Sequence, residues 1–456
     1  MRRKIVILGL AVVALLGASC GPYGPSVPIP PTAITGDNSG GAIAVYQIWR
    51  MSDSYGQFYV QKISPEGDLL WGEKGVLIGS GYSEFGDFDS YAVSDGSGGA
   101  IVIWLEFPPR AEGELPSFQT HVAKINSEGN VEWQKDIPGI DQAIPDGSGG
   151  VIIAYDDRHD NISVLKIDAE GNLPWGEDGV SLSLTDAYLC SIASDDSGGV
   201  IVVESTFQGS DTVYAQRVDS QGNILWQPGG VQAYTGPAEG AQVVSDGAGG
   251  AIIAYMRDIP CNDGRTGYCD SDIYVQKVDA GGNVLWRPDG VPICTGPSAP
   301  NTPKIVDDGA GGAIIYFTFI ADYTAFRARR IDADGHELWE EEAELWGGDY
   351  FFPLNPVVSD GFGGGISVWY SDEGINAKAQ RLDAMGRELW GPDGTTLTIR
   401  DLHLPGAVSD GCGGVLISWS AAEFEGSKFS EVSYYVQRID ADGDVVWGDE
   451  GILLGH

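Results

Sequence analysis

The sequence predicts an all-β fold, an eight-bladed β-propeller whose blades are four-stranded and antiparallel. Two phrases alternate along the chain, and each occurs eight times, once in every unit of about fifty residues. Each unit holds four short segments rich in Val, Ile, Tyr and Trp, and no amphipathic helical pattern follows the first twenty residues. A repeat of this length with four strands is typical of propeller blades.

The first phrase reads SDGSGGAIVIW in its second copy, from Ser94 to Trp104, and predicts the hairpin between the first and second strands of a blade. An Asp at the head of a turn accepts hydrogen bonds from nearby backbone amides, and Gly adopts positive φ without steric cost. The eight copies begin at Asp37, Asp95, Asp146, Asp195, Asp246, Asp308, Asp360 and Asp410.

Some copies of this phrase contain Asp-Ser-Gly-Gly, which invites comparison with the nucleophile loop of a protease. Ala248, Phe362 and Cys412 occupy the serine position in other copies, and none of the five histidines recurs beside it. Since Phe cannot act as a nucleophile, we predict no catalytic residue in these loops.

The second phrase ends in Trp and predicts the third strand, a turn and the fourth strand; in the fifth unit the fourth strand is expected at NVLW, from Asn283. Its tryptophans are Trp71, Trp133, Trp175, Trp226, Trp286, Trp339, Trp390 and Trp447. One third-strand position is basic in every unit, as Lys62, Lys124, Lys166, Arg217, Lys277, Arg330, Arg381 and Arg438. A repeated cation predicts a structural ion pair or a cation above the blade tryptophan.

Strand order divides the connections between two faces of the disc. In an up-and-down meander, the first-to-second and third-to-fourth turns share one face, here called the turn face. The second-to-third and blade-to-blade connections share the other, here called the loop face. The turns are short and uniform whereas the loops vary, so we expect any binding on the loop face.

The N-terminal segment predicts export and lipid anchoring. Residues 1–20 combine Arg2, Arg3 and Lys4 with an apolar run, as in a signal peptide, and the ending LGASC resembles the lipobox of bacterial lipoproteins, with Cys20 as the lipidated residue. Plain signal cleavage is the alternative. Residues 21–31 form a Pro/Gly-rich tether, and residues 32–456 form the propeller. The expected location is the cell envelope, as an outer-membrane or surface lipoprotein, or secreted or periplasmic without the lipid.

The composition is strongly acidic, with 65 acidic residues against 23 basic ones beyond Cys20. Such a surface disfavours nucleic acid and anionic lipid, so membrane contact is expected through the lipid anchor only. Cys261 and Cys269 bracket a short polar segment and are predicted to form a disulfide. Cys190, Cys294 and Cys412 have no obvious partner in the sequence.

Closely spaced carboxylates raise the question of a metal. Asp440, Asp442 and Asp444 could hold calcium, as could the related Asp332 and Asp334, although turn chemistry explains the same residues without a metal. No other cofactor is expected.

Five places depart from the repeat: 105–118, 256–272, 421–433 and the links after Trp71 and Trp339, all expected on the loop face. They combine aromatic residues with carboxylates, a composition typical of protein or carbohydrate contacts. The alternative is that the aromatic rings pack beneath their own loops. The candidate binding residues are Phe85, Phe88, Phe107, Tyr268, Tyr350, Phe351, Phe352 and Phe424.

The second phrase, as in Asp168 to Trp175, resembles the tryptophan-docking repeat of the pyrroloquinoline-quinone-type propellers, in which Trp also follows Gly by four residues. The resemblance implies an eight-bladed scaffold and leads to two groups of proteins, one enzymatic and one not. The quinoprotein dehydrogenases hold quinone and calcium over the axis, commonly against a disulfide between adjacent cysteines, which this sequence lacks. The BamB-type lipoproteins of outer-membrane assembly are non-enzymatic scaffolds with a lipobox and a tether.

Together these features favour an exported, lipid-anchored, non-enzymatic propeller that binds protein or glycan. Two alternatives stay open. One is an enzyme with its site in the central channel, such as a glycan hydrolase or lyase or a quinone-dependent dehydrogenase, and the other is purely structural surface display. No catalytic set is predicted, because the five histidines occupy unrelated positions of the repeat.

Overall fold

The computed structural model describes residues 33–50, 55–82, 90–106, 118–156, 161–182, 187–206, 212–260, 268–296, 300, 302–320, 324–348, 356–370, 376–399, 402–425 and 428–455. Within these ranges the regular structure consists of 32 strands in eight four-stranded antiparallel sheets. The predicted eight-bladed β-propeller is confirmed. No helix within these ranges is long and apolar enough to cross a membrane.

Each blade is a meander of four consecutive strands. Blade 1 contains β1 (Ala33–Gly36), β2 (Ala42–Arg50), β3 (Tyr55–Ile63) and β4 (Val76–Tyr82). Blade 2 contains β5 (Ser90–Ser94), β6 (Ala100–Glu106), β7 (Gln119–Ile125) and β8 (Val131–Ile137). Blade 3 contains β9 (Gln142–Pro145), β10 (Val151–Asp156), β11 (Ile162–Ile167) and β12 (Val180–Ser181). Blade 4 contains β13 (Ala187–Ser194), β14 (Val200–Thr206), β15 (Thr212–Val218) and β16 (Val231–Thr235).

The second half repeats this order. Blade 5 contains β17 (Ala238–Ser245), β18 (Ala251–Pro260), β19 (Tyr268–Val278) and β20 (Val291–Cys294). Blade 6 contains β21 (Lys304–Asp307), β22 (Ala313–Ile320), β23 (Thr324–Ile331) and β24 (Ala343–Gly348). Blade 7 contains β25 (Val357–Ser359), β26 (Gly365–Tyr370), β27 (Asn376–Leu382) and β28 (Thr395–Thr398). Blade 8 contains β29 (Leu402–Ser409), β30 (Val415–Glu425), β31 (Lys428–Ile439) and β32 (Ile452–Gly455).

The blades form a closed ring around an axis lined by their first strands. The first strand of every blade contacts the first strand of the next, and β29 contacts β1. Blades 8 and 1 each consist of their own four strands, so packing closes the ring and no shared sheet does. At this junction the Trp447 indole Nε1 donates a hydrogen bond to the Pro65 carbonyl at 3.0 Å.

The hydrophobic core lies in the seams between blades. Eight clusters of buried apolar residues fill the eight seams, and each combines the facing sides of two neighbouring sheets. The seam between blades 3 and 4, for example, contains Ile152 and Val164 from one and Val200 and Val202 from the other. Short strands therefore build a large core, because each sheet is covered on both faces.

The second phrase docks each blade onto the next. The Trp133 Nε1 donates to the Ala169 carbonyl at 3.0 Å, and a Cβ on Gly171 would lie 2.9 Å from the Trp133 ring. Contacts of the same kind join Trp71, Trp175, Trp226, Trp339 and Trp390 to the following blade. The tryptophans thus join neighbouring blades on the turn face.

The predicted structural ion pair is confirmed in seven blades. Arg217 lies 2.9 Å from Asp195, and the corresponding cations of blades 1, 3, 5, 6, 7 and 8 pair with the first-phrase Asp of their own blade. In blade 2, Lys124 lies 3.4 Å from Glu132. The cation also bridges the seam, since the Lys62 Nζ donates to the Gly98 carbonyl of the next blade at 2.6 Å.

The expected position of the fourth strand is wrong in blade 5. In blade 5 the fourth strand begins at Val291, and Val284 of the expected NVLW strand makes only an isolated bridge to Val278. The glycines and prolines after Trp in most units form a further turn before the outer strand begins. Blade 2 has QKDI after Trp133 instead, and there β8 runs directly through the tryptophan.

The link after Trp339 was expected on the loop face, but its first part is a turn followed by a strand. Residues 343–348 form the outer strand β24, and Glu342 and Glu344 pair with Arg327 on β23. The insertions in units 5 and 8 do extend toward the loop face, because β18–β19 and β30–β31 are long second-to-third hairpins.

Candidate functional site

Most of the residues predicted to bind a partner lie outside the described residues. These are Phe85, Phe88, Phe107, Tyr350, Phe351 and Phe352, together with Cys261 of the predicted disulfide and Cys20 of the predicted lipid anchor. Tyr268, Cys269 and Phe424 lie on described strands, but their side chains are outside the described part. The binding role of these residues stays a prediction.

On the turn face, the polar side chains of the repeats are used by the fold. The Asp95 Oδ1 accepts hydrogen bonds from the backbone amides of Ser97 and Gly99, each at 2.8 Å. The first-phrase Asp of every other blade accepts the same pair of bonds. The predicted turn role of SDGSGG is confirmed, since its aspartate accepts the backbone hydrogen bonds that close the turn.

The candidate calcium residues also close turns. The Asp440 Oδ1 accepts from the amides of Asp442 and Asp444 at 3.0 and 2.9 Å. Among the described residues, Asp332, Asp334 and His336 bring three metal-type ligand atoms within 4.8 Å of one another, on an exposed turn. Calcium at either turn stays a prediction.

Toward the loop face the situation differs, because several buried polar side chains of the described residues lack partners there. Within the described part, ten buried side chains have a nitrogen or oxygen atom with no hydrogen bond: Gln47, Trp104, Thr120, His121, Glu204, Tyr316, Ser367, Trp369, Ser420 and Tyr434. Five of them occupy the fifth or sixth position of a second strand: Gln47, Trp104, Glu204, Trp369 and Ser420. Three more lie on a third strand and pair with a residue at one of these two positions: Thr120, His121 and Tyr434. Since the second strand runs from the turn face to the loop face, these groups gather in the loop-face half. Native proteins leave few buried polar groups unpaired, so each needs a physical reason.

The seam between blades 1 and 2 contains the best defined group of this kind, here called the seam cluster: Gln47, Trp104, Glu106, His121 and Asp136. Gln47 is 3% exposed with both amide atoms unpaired, and Trp104 is 1% exposed with its Nε1 unpaired. Strand alternation puts Gln47 on the same side of β2 as Ile43 and Val45, which pack in this seam against Trp104.

Within the seam cluster, His121 lies between two carboxylates and beside an indole ring. Its Nδ1 is 2.7 Å from the Asp136 Oδ1, and its Nε2 is 3.3 Å from the Glu106 Oε2 without hydrogen-bonding geometry. The centroids of the His121 and Trp104 rings are 5.3 Å apart. The Asp136 side chain is 72% exposed, so the cluster runs from buried amide and indole groups to solvent.

The outer strand of blade 1 makes room for this cluster with two glycines. A Cβ on Gly79 would lie 2.6 Å from the Trp104 Nε1, and one on Gly81 would lie 2.7 Å from the Glu106 Cγ. Both contacts are shorter than real Cβ atoms make, so larger residues would displace Trp104 and Glu106. The sequence VLIGSGY, Val76 to Tyr82, thus positions the cluster.

A cleft of about 290 Å³ lies at the rim between blades 5 and 6, lined by residues that include Cys294, Phe319, Arg327 and Arg329. Its arginines are engaged: Arg327 pairs with Glu344 at 3.0 Å and Arg329 with Glu337 at 2.8 Å. Because these charges neutralise one another within the blade, the cleft offers fewer free groups than the seam cluster.

Sequence reasoning missed the seam cluster. The five histidines occupy unrelated positions of the repeat, and the ends of the second strands vary from blade to blade. The available signal was position: no other blade has an amide side chain at the place of Gln47 or a histidine at the place of His121.

No family model matches this chain, and no curated protein matches it either. Among solved structures it is similar to a polysaccharide lyase of family PL25, an ulvan lyase, with 11% identity, a TM-score of 0.45, and coverage of 92% of this chain and 94% of that one. Polysaccharide lyase Uly1 has 9% identity and a TM-score of 0.44, over 94% and 95% of the two chains. The β-propeller domain of the Trilobed protease from Pyrococcus furiosus has 10% identity and a TM-score of 0.43, over 78% and 94%.

Proposed function

We propose that this chain is an exported, lipid-anchored, non-enzymatic propeller that binds a neutral glycan at its loop face. One observation carries the proposal: buried polar groups of the seam cluster lack partners, whereas the aspartates of the turn face are paired. Because Gln47 and Trp104 are at most 3% exposed, a ligand must part the outer end of the seam to reach them, and one that supplies the missing hydrogen bonds would gain binding energy from groups that the fold leaves unsatisfied. Export and lipidation at Cys20 rest on the N-terminal sequence and stay predictions.

The chemistry of the seam cluster favours hydroxyl groups. Gln47 offers a donor and an acceptor, Trp104 offers a donor, and two carboxylates flank His121. A sugar hydroxyl both donates and accepts, so it can pair with each of these groups. Two nearby carboxylates in an acidic protein disfavour an anionic ligand, because like charges repel. A neutral glycan therefore fits better than a uronic acid polymer or a nucleic acid.

Three of the predicted loop-face aromatics are close to the seam cluster in the sequence. Phe107 directly follows Glu106 in the sequence, and Phe85 and Phe88 lie in the link between blades 1 and 2. Aromatic rings beside planar polar side chains are a common composition for binding sites. Their contact with a ligand is part of the proposal.

The test uses the purified full-length chain in detergent against a panel of neutral polysaccharides (xylan, galactomannan, β-glucan) and one acidic polysaccharide, alginate. We expect binding to a neutral member, and Trp104→Phe should weaken it about tenfold, since it removes one hydrogen-bond donor and keeps an aromatic ring. Trp369→Phe is the matched control, because its indole Nε1 is also unpaired but lies in another blade. It should leave affinity unchanged.

Other outcomes would overturn parts of the proposal. Binding to alginate alone would contradict the electrostatic argument, and equal effects of the two Trp variants would move the site away from blades 1 and 2. Chain cleavage of a bound polysaccharide, measured as new reducing ends, would support the enzyme alternative. A protein ligand without glycan binding would contradict the ligand class.

A further inference from the structure

Blade 4 differs from the other seven at one buried position. The fifth residue of the second strand is aromatic elsewhere, but it is Glu204 in blade 4. The other seven residues are Tyr46, Trp104, Tyr155, Tyr255, Phe317, Trp369 and Trp419. A carboxyl group thus replaces a ring at a point where the propeller otherwise fills its seams with aromatic side chains.

The tyrosines at this position, Tyr46, Tyr155 and Tyr255, close the space beneath the start of their own outer strand, where each donates to a backbone carbonyl. Tyr255 donates its hydroxyl hydrogen to the Asp289 carbonyl at 2.8 Å, and a Cβ on the adjacent Gly290 would lie 2.9 Å from that hydroxyl. In blade 4, the three atoms nearest to a Cβ on Gly230 belong to Ala215 and Tyr214. Glu204 therefore does not fill the space that the ring fills in blade 5.

Within the described part of the chain, the surroundings of Glu204 are mostly apolar. The side chain is 1% exposed, and within the described structure neither carboxyl oxygen has a hydrogen bond. Its neighbours in register are Leu189 on β13 and Tyr214 on β15. Across the seam, blade 3 presents the apolar Ala154, Ile162, Val164 and Leu182.

Among the described residues, three titratable or charged groups face the side of the seam that holds this carboxyl. Tyr214 lies opposite on β15, and strand alternation turns Asp156 of β10 and Lys166 of β11 toward the same seam. Lys166 is paired with Asp146 at the turn-face end, and Asp156 is exposed. Burial alone raises the pKa of Glu204 to about 8, with no neighbouring charge among the causes.

We propose that the packing of blade 3 against blade 4 depends on the protonation of Glu204. The two blades pack tightly while the carboxyl is protonated, and the seam between them loosens when it ionises. An ionised carboxylate without a partner is costly in an apolar seam, and it regains hydration only if the seam admits water. This inference is independent of the proposed glycan site, which lies between blades 1 and 2.

The sign of the stability change follows from the two protonation states. The unfolded chain releases this proton near its ordinary pKa of 4.5, whereas the folded chain retains it up to about 8. The folded state is therefore stabilised fully below pH 4.5, loses that stabilisation between 4.5 and 8, and carries a charged, unpaired group above 8.

The test compares the full-length chain with Glu204→Gln and Glu204→Tyr. Glu204→Gln is neutral at every pH, and Glu204→Tyr restores the ring of the other blades. Between pH 5 and 9 the unfolding temperature of the wild type should fall by at least about 3 °C more than that of either variant. Hydrogen exchange at pH 9, normalised to blade 7 peptides of the same sample, should be faster in β11 and β14 of the wild type only.

Two results would overturn the proposal. Parallel pH profiles for the wild type and Glu204→Gln would show that Glu204 does not titrate in the stated range. Faster exchange at pH 9 in all three proteins, or in none, would show that ionisation of Glu204 does not open this seam. Should Glu204→Tyr fail to fold, Glu204→Gln alone decides both comparisons.

Discussion

The two faces of the disc are built from the same eight repeats but use their polar residues differently. On the turn face, carboxylates such as Asp195 accept backbone bonds and pair with a cation. In the loop-face half, buried groups such as Gln47 and Trp104 have no partner within the described structure. The turn face therefore uses its polar groups to hold the blades, while the loop-face half contains buried polar groups that have no partner within the described structure.

The largest expected loss of stability comes from removing a carboxylate of the turn face. Asp195→Ala removes two backbone acceptor bonds and leaves Arg217 without its carboxylate, which should cost about 3–5 kcal/mol of unfolding free energy. Guanidinium unfolding followed by tryptophan fluorescence measures it. The double variant Asp195→Ala with Arg217→Met should recover part of the loss, because no unpaired charge is left. A loss below about 1 kcal/mol for Asp195→Ala would contradict the structural role of the pair.

A smaller loss of stability is expected from two glycine substitutions, which distinguish backbone strain from the contact between blades. Gly171 and Gly147 both have positive φ, at 82° and 76°. A Cβ on Gly171 would collide with the Trp133 ring, whereas a Cβ on Gly147 meets nothing within 4 Å. We expect Gly147→Ala to cost about 1–2 kcal/mol from strain and Gly171→Ala about 3 kcal/mol, as measured by guanidinium unfolding. Equal losses would show that the tryptophan does not limit the distance between blades.

The smallest effect is expected in the loop-face half, and two glutamines of blade 1 test it. Gln61 Nε2 donates to the Gly72 carbonyl at 2.6 Å, and its Oε1 accepts from the amides of Lys62 and Trp71 at 3.0 Å. Gln61→Leu should cost about 2–3 kcal/mol, while Gln47→Leu should change stability by less than about 1 kcal/mol in either direction. An equal loss at Gln47 would mean that its amide is already paired, and the contrast between the faces would fail there.

The repeated parts were predicted well from the sequence, because each repeat contains the residues that form its own turns and ion pair. Eight copies of the first phrase identify the hairpin at Asp95, and eight basic residues identify ion pairs such as Arg217 with Asp195. The sequence misplaced the outer strand in blade 5, because the strand-like residues around Val284 lie in a turn and pairing begins at Val291. β-propensity marks which residues fit a strand, and it does not mark where the ladder forms.

By itself, the sequence determined the blade number, the antiparallel meander, the two faces and the residues that hold each turn. Those features are local, since every group involved lies within one unit or recurs at a fixed spacing from it. Only the tertiary structure brought Gln47 beside the seam that holds Trp104 and His121, and only it placed Glu204 in an apolar seam without a partner. The reason is that a seam joins two units, so the environment of a side chain there depends on a neighbour about fifty residues away.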